Sequence, residues 1–259
     1  MTQDRQIHVH LVPEWVPADG LADGVAVVID VLRATTTMTF ALAAGAASIL
    51  PCLEIDEARA RADGMRAGKV LLGGERDGRP LPGFDLGNSP AEYTAARVRG
   101  MDVVLTTTNG TRALLAASAA RRVLLAAFVN FSAVCEQLKA ERRPVHIVCA
   151  GNRGRLALED TLCAGGLVDF LCRPERGAGK PELNDAARVA WDCFEVHGPI
   201  LEGALRVSAG GVQLAGLGYD DDVRMAARVD QFTLVPELRR DPWRVEVGAV
   251  GIVARHWAQ

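Results

Sequence analysis

The stretch "VAVVIDVLRATTT", Val25 to Thr37, decides how this chain folds. Its first five residues are apolar and mostly β-branched, the pattern of a strand covered on both faces. Asp30 ends the run. Arg33 and Thr35, Thr36 and Thr37 follow, and residues 35–44 read as a helix. A strand that runs straight into a helix start opens a βα unit. Taken alone, the polar cluster has two equal readings. Asp30 and Arg33 could be a local ion pair with Thr35 as a helix cap, or the cluster could be the lip of an active site.

The same rhythm extends outward in both directions. Residues 7–11 read as a strand, as do 48–52, 70–74, 103–105, 123–126 and 145–149. Ala-rich helices are expected over 55–67, 111–119, 132–140 and 159–172. Ser89, Pro90 and Glu92 match a helix cap, a first helical residue and a capping box. Short apolar strands alternating with helices predict a layered α/β/α architecture with a mostly parallel or mixed sheet. After residue 173 the rhythm changes. Helices are expected over 183–197 and 199–207, and strands near 229–234 and 245–253. The Gly- and Pro-containing stretch 174–181 is the linker candidate. It divides the chain into region 1–173, with most strand-end motifs, and region 182–259, as two α/β subdomains or one continuous domain.

Composition excludes several classes. The chain has 259 residues, enough to bury a sizeable core without disulfides or structural metal. Its formal net charge is −3 and it has no Lys/Arg run, so nucleic acid is not an expected partner. Six cysteines without a C-x-x-C pair read as reduced, mostly buried thiols. The first ten residues, MTQDRQIHVH, have no apolar signal-peptide core, and every apolar run is broken short of a membrane span. A cytoplasmic protein with no membrane partner is expected, and a homodimer is an open option.

In open α/β sheets, ligands gather beyond the carboxyl ends of the strands. Five strand ends here carry polar groups. After residue 29 come Asp30, Arg33 and the threonines. After residue 72 come Glu75 and Arg76. After residue 105 comes "TTTNGT", with Thr107, Thr108 and Asn109. After residue 127 comes Asn130. After residue 148 comes "CAGNRGR", with Asn152, followed by Glu159 and Asp160. Asn88 and Ser89 open a further helix. Each piece has a bland reading as a cap, a turn or a solvated charge, and Asp220, Asp221 and Asp222 read as a solvated turn. As a set, anion donors alternate with carboxylates. Carboxylates beside an anionic substrate repel it unless a cation intervenes, and Mg²⁺ is the natural hard, oxygen-liganded mediator. The pattern points to Mg²⁺-dependent hydrolysis of a small phosphorylated acid.

Other phosphate motifs fail. There is no P-loop, no G-x-G-x-x-G after a strand and no G-x-S-x-G elbow. A D-x-D phosphatase would need a second acid at position 32, which is Leu. Two alternatives remain: a metal-independent cysteine phosphatase using Cys149 and Arg155 in a C-x5-R loop, and a non-catalytic protein that binds a small anion.

The strand-end segments also carry a family resemblance. "DVLRATTT" (Asp30–Thr37), "GER" (Gly74–Arg76), "GFDLGNSP" (Gly83–Pro90), "TTTNGT" (Thr106–Thr111), "AGNRGRLALED" (Ala150–Asp160), "GYDDD" (Gly218–Asp222) and "VPEL" (Val235–Leu238) span nearly the whole chain. In that order they resemble the 2-phosphosulfolactate phosphatase family. The resemblance implies a family-specific α/β/α fold. It also implies Mg²⁺-dependent hydrolysis of (R)-2-phospho-3-sulfolactate to 3-sulfolactate and phosphate, a step of coenzyme M biosynthesis.

Roles follow as expectations. Asp30 ligates Mg²⁺ or positions the attacking water, with Glu159, Asp160 and Glu75 as further metal candidates. Arg33, with Thr35 and Thr36 at the helix start, holds phosphate oxygens. Arg76, Asn88, Thr107, Thr108, Asn109, Asn130 and Asn152 orient the remaining substrate groups.

Overall fold

In the computed structural model, residues 5–17, 21–65, 67–173 and 181–248 are described. The opening strand, β2 in the numbering below, is buried at all five positions. Val25, Val27 and Ile29 face one core, with Leu162 and Leu167. Ala26 and Val28 face another, with Met38 and Leu114. An uninterrupted apolar run therefore fills both sides of a sheet, as its sequence requires.

The described strands are β1 (Gln6–His10), β2 (Val25–Ile29), β3 (Ser48–Cys52), β4 (Val70–Arg76), β5 (Arg79–Pro80), β6 (Asp102–Thr106), β7 (Arg122–Ala126), β8 (Val145–Cys149), β9 (Glu182–Leu183), β10 (Pro236–Arg240) and β11 (Trp243–Val247). They form one sheet in the order β5-β4-β6-β3-β11-β10-β7-β2-β8-β1-β9. The described helices are α1 (Ala34–Ala43), α2 (Ile55–Asp63), α3 (Ala95–Val98), α4 (Gly110–Ala117), α5 (Phe131–Lys139), α6 (Leu158–Cys172), α7 (Asp185–His197), α8 (Leu201–Val207), α9 (Ala209–Gly216) and α10 (Asp220–Ala226). Residues of α5, α6 and α7 pack on one face of the sheet, and residues of α1 and α4 on the other. The architecture is α/β/α with a mixed sheet.

Two parallel blocks make up most of the sheet. β7, β2, β8, β1 and β9 form one, and β3, β6 and β4 the other. Between them lies the antiparallel β10–β11 hairpin, with Leu238 opposite Val245. β10 pairs with β7 and β11 with β3, both antiparallel, so the blocks run in opposite senses. Twist of about 20–25° per strand step gives such blocks a route to bring their carboxyl ends to one cleft. The regions 1–173 and 182–259 contribute strands to the same sheet.

The strand expected at 229–234 is not formed. Asp230 instead adopts φ 57°, and its carboxylate accepts bonds from the Ser132 backbone N–H and hydroxyl, both at 2.6 Å. The backbone N–H groups of Asp230 and Phe232 donate to Phe128 and Val129 at 3.0 and 2.8 Å, which ties the segment to the turn after β7. The strand begins only at Pro236. The linker candidate lies outside the described residues except for Pro181, as do residues 249–253 of the last expected strand. Ser89 does not cap a helix: a short 3-10 turn follows it, and Glu92 accepts from the Gly87 N–H at 2.9 Å instead. Among the described residues, no helix is long and apolar enough to cross a membrane.

Candidate active site

Two tight turns and three helix starts surround Asp30. The first turn joins β4 to β5 through Asp77 and Gly78, with φ of 55° and 79°. Asp-Gly with both φ positive is the type I′ hairpin signature. The second is Asn152–Arg155, closed by Asn152 N–H to Arg155 carbonyl at 2.8 Å and the reverse bond at 3.0 Å. Its central residues Arg153 and Gly154 also have positive φ, 54° and 72°. α1, α4 and α6 begin beside these turns.

Together they enclose a cavity of ≈ 50 Å³. Its wall includes Asp30, Arg33, Glu75, Asn88, Thr108, Asn109, Asn152, Glu159 and Asp160. The structure thus gathers nine expected site residues, from five separate segments, into one cleft. Asp77, Gly78, Gly151, Arg153, Gly210 and Gln213 complete the polar and glycine lining.

The carboxylates differ in what holds them. Asp30 is buried and its Oδ1 accepts the Ala34 N–H at 3.2 Å. Burial, reinforced by the nearby Glu75 and Glu159, pushes its carboxyl up to about 7 against the pull of that N–H and of Arg33. Asp160 accepts Val31 N–H at 2.8 Å through one oxygen and Gly151 N–H at 3.0 Å through the other. Burial still raises it well above the ordinary carboxylate range, with Asp30 and Glu159 adding to the rise. Glu75 likewise accepts Thr108 N–H at 2.8 Å and Gly78 N–H at 2.7 Å. Glu159 is raised by burial, and its Oε2 has no hydrogen-bond partner.

Glu159 is not alone in this. The buried side-chain oxygens Asn88 Oδ1 and Thr108 Oγ1 also lack partners, and both residues line the same cavity. An unpaired buried polar atom costs about 1–3 kcal/mol, so three on one cavity wall mark a surface built for something polar. Glycine keeps that space open. A Cβ on Gly110 would sit 2.8 Å from Asp30 Oδ2, and one on Gly210 would overlap Glu159 Oε1.

Arg33 is nearly fully buried. Its Nη1 donates to Asp222 Oδ2 at 2.6 Å and its Nη2 to the Gly78 carbonyl at 2.9 Å, while the guanidinium lies 4.6 Å from the Tyr219 ring centroid. Asp222 also accepts the Ser89 hydroxyl at 2.6 Å. Of the two readings of the opening cluster, the local Asp30–Arg33 ion pair gives way to Arg33–Asp222, and Asp222 is no solvated turn residue. The sequence signal for it was the "GYDDD" segment at the start of α10. The Asp-Gly pair at 77–78 was a second unused signal, for the turn that delivers Gly78 to Arg33.

Several expected contacts do not reach the cavity. Thr35 Oγ1 donates to the Asp30 and Ala126 carbonyls, both at 2.8 Å, and Thr36 Oγ1 to the Val31 carbonyl at 2.8 Å. They hold the loop that carries Asp30. Thr107 Oγ1 accepts the Thr111 N–H at 3.3 Å at the start of α4. Asn130 bridges the Ala127 N–H to the Leu125 and Leu234 carbonyls. Arg76 donates to the Leu53 and Glu75 carbonyls and to Thr106 Oγ1. All five serve the frame of the site.

The cysteine alternative does not survive. Cys149 is fully buried and does not line the cavity. Burial, with Asp160 next in effect, pushes its thiol well up, which disfavours the thiolate a nucleophile needs. Arg155 is exposed at the base of its tight turn.

A layered α/β/α protein that gathers carboxylates and anion donors at one strand-end cleft has the kind of site in which α/β enzymes handle small anions. Comparison with known proteins makes the class specific. The family model described as 2-phosphosulpholactate phosphatase matches residues 10–241. A protein of Symbiobacterium thermophilum is 43% identical over 220 residues, covering 85% of this chain and 93% of its own length. One from Thermotoga petrophila is 41% identical over 214 residues (82% and 88%), and one from Synechococcus sp. strain RCC307 is 42% identical over 228 residues (86% and 92%). Each carries the name "Probable 2-phosphosulfolactate phosphatase". The chain belongs to the 2-phosphosulfolactate phosphatase family and is a phosphoric monoester hydrolase.

Proposed function

We propose that this cleft hydrolyses (R)-2-phospho-3-sulfolactate to 3-sulfolactate and phosphate with the help of Mg²⁺. The observation that supports this best is the set of unpaired oxygens on Asn88, Thr108 and Glu159 around Asp30. Among the described residues, no three His, Cys, Asp or Glu side chains form a ready-made metal cage. Mg²⁺ needs none: it is commonly held by one or two carboxylates, with waters and substrate oxygens completing the shell. The donor set fits that pattern. Asp30 and Glu159 would hold the ion, since Asp160 and Glu75 already use both oxygens on backbone N–H groups. The bound ion would lower the pKa of a coordinated water and neutralise phosphoryl charge.

The chain's own groups do the rest. Asp160 fixes the loops after β2 and β8, and Glu75 fixes the turn at 77–78 and the loop after β6. Arg33, held flat by Asp222, Gly78 and Tyr219, offers its remaining N–H donors to the phosphoryl oxygens. Thr108 donates its free hydroxyl to an oxygen of the same substrate, and Asn88 Oδ1, an acceptor, takes a water of the cleft. Thr35 and Thr36 keep the Asp30 loop rigid, so these donors are set before substrate arrives.

The test is phosphate release from a panel of small phosphorylated acids, with and without Mg²⁺ and with EDTA. The reading expects 2-phospho-3-sulfolactate to lead the panel and EDTA to abolish release. A different leading substrate would correct the substrate, and EDTA-resistant release would remove the metal.

A further inference from the structure

Among the described residues, Arg33 and Arg153 are the two cations on the cavity wall, and they are held differently. Arg33 is buried and its charge is matched by Asp222, also buried. Arg153 stands at the mouth with 60% of its side chain exposed, paired with Asp77, which is 63% exposed. Exposed ion pairs of this kind are held weakly and exchange readily.

The backbone under Arg153 is unusual. Arg153 occupies the first central position of its tight turn at φ 54°, where Asn, Asp or Gly is the ordinary choice. Its partner Asp77 holds the equivalent position of the facing turn, with a residue that suits it. Both turns are pinned. The Arg153 N–H donates to Asn109 Oδ1 at 3.0 Å, and the Asp77 carbonyl accepts Gln213 Nε2 at 3.0 Å. A bulky residue kept where a small one is easier, on a fixed turn at a cavity mouth, points to its side chain as the reason.

We infer that Arg153 is the specificity-determining residue for the second acidic group of the substrate, a sulfonate or carboxylate, with Asp77 as its resting counter-ion. This rests on the phosphatase reading above, in which Arg33 and the metal serve the phosphoryl end. An incoming substrate with a second anion takes Arg153 from Asp77. A phosphate ester with no second anion leaves the pair in place. The guanidinium fork suits both planar carboxylate and sulfonate oxygens.

The experiment compares kcat/KM for 2-phospho-3-sulfolactate with that for glycerol 2-phosphate, which has one anionic group. In Arg153→Asn the ratio of the two is expected to fall by about 10- to 100-fold, the effect of one charge-assisted contact. The melting temperature is expected to stay level or rise, because Asn suits the turn. In Asp77→Asn the competitor charge is gone, and the ratio is expected to rise through a lower KM for the sulfonate substrate. A ratio changed by less than about twofold in Arg153→Asn, or one that does not rise in Asp77→Asn, overturns the inference. Should the wild type release phosphate from neither ester, the phosphatase reading fails on its own. Calorimetric titration with 3-sulfolactate then decides for Arg153: at least tenfold weaker binding in Arg153→Asn supports it, and equal binding overturns it.

Discussion

Removing the Asp222 carboxylate is the sharpest perturbation of the frame around Arg33. The pair is 2.6 Å long and both side chains are buried, at 3% and 2% exposure. Asp222→Ala leaves a buried guanidinium without its counter-charge, which costs about 3–5 kcal/mol. The Ser89 hydroxyl loses its 2.6 Å partner as well, for about 1 kcal/mol more. The total, roughly 4–6 kcal/mol, is a large part of the stability of an ordinary domain. Asp222→Asn keeps the shape and the Ser89 bond and should cost less than half of that. Urea unfolding followed by circular dichroism, with a second probe to check for a two-state transition, gives the free energies. Arg33→Met combined with Asp222→Leu replaces the pair by apolar groups and should recover most of the lost stability, while phosphate release stays lost. Asp222→Ala within 1 kcal/mol of wild type, with normal turnover, would refute the claim that this pair sets Arg33.

Gly110→Ala places a methyl 2.5 Å from Ala34 Cβ and 2.8 Å from Asp30 Oδ2. It should cost about 1–3 kcal/mol and reduce phosphate release more than stability alone explains; unchanged turnover would show that the start of α4 gives way freely. His146, stacked between His8 and His10, is pushed down to about 4, mainly by burial. The unfolded chain binds this proton near pH 6.5 and the folded one only near 4. Its contribution is therefore complete above 6.5 and is lost as pH falls through that window, by on the order of 2 kcal/mol. His146→Gln should flatten the fall in urea midpoint between pH 7 and pH 4.5, and an unaltered pH profile would count against the assignment. Cys149→Ala should release phosphate within a few-fold of wild type, and loss of turnover in a folded Cys149→Ala protein would restore the thiol as a participant.

Much of the fold was legible because its strands are apolar runs bounded by polar residues. β2, β3 and β8 begin and end where burial on both faces demands. The strand ends that carry Asp30, Glu75, Thr108, Asn152 and Glu159 were legible for the same reason, since the sheet fixes where its carboxyl ends point. Three things were not. β10 was misplaced because the alternating apolar and polar residues 229–234 serve as a tie to the turn after β7, a use that periodicity cannot distinguish from a strand. Thr35, Thr36, Thr107, Asn130 and Arg76 were read as substrate contacts because a hydroxyl, amide or guanidinium that bonds the backbone has the same letter as one that faces a ligand. Asp222 was read as solvated because its partner Arg33 lies 189 residues away, and a contact of that span leaves no local pattern. Arg33 was legible as a donor at a strand end, where it lines the cavity, but the groups that hold it were not.

The central claim is that Asp30, with Glu159 and a divalent cation, runs phosphate-ester hydrolysis in this cleft. Its most direct test is phosphate release from (R)-2-phospho-3-sulfolactate across a Mg²⁺ titration, in wild type and in Asp30→Asn. The account predicts saturable Mg²⁺ dependence in the wild type. It predicts a loss of at least about 10²-fold in kcat for Asp30→Asn at an unaltered circular dichroism spectrum. Turnover that ignores Mg²⁺ and EDTA, or an Asp30→Asn protein that works at near-normal rate, would contradict it.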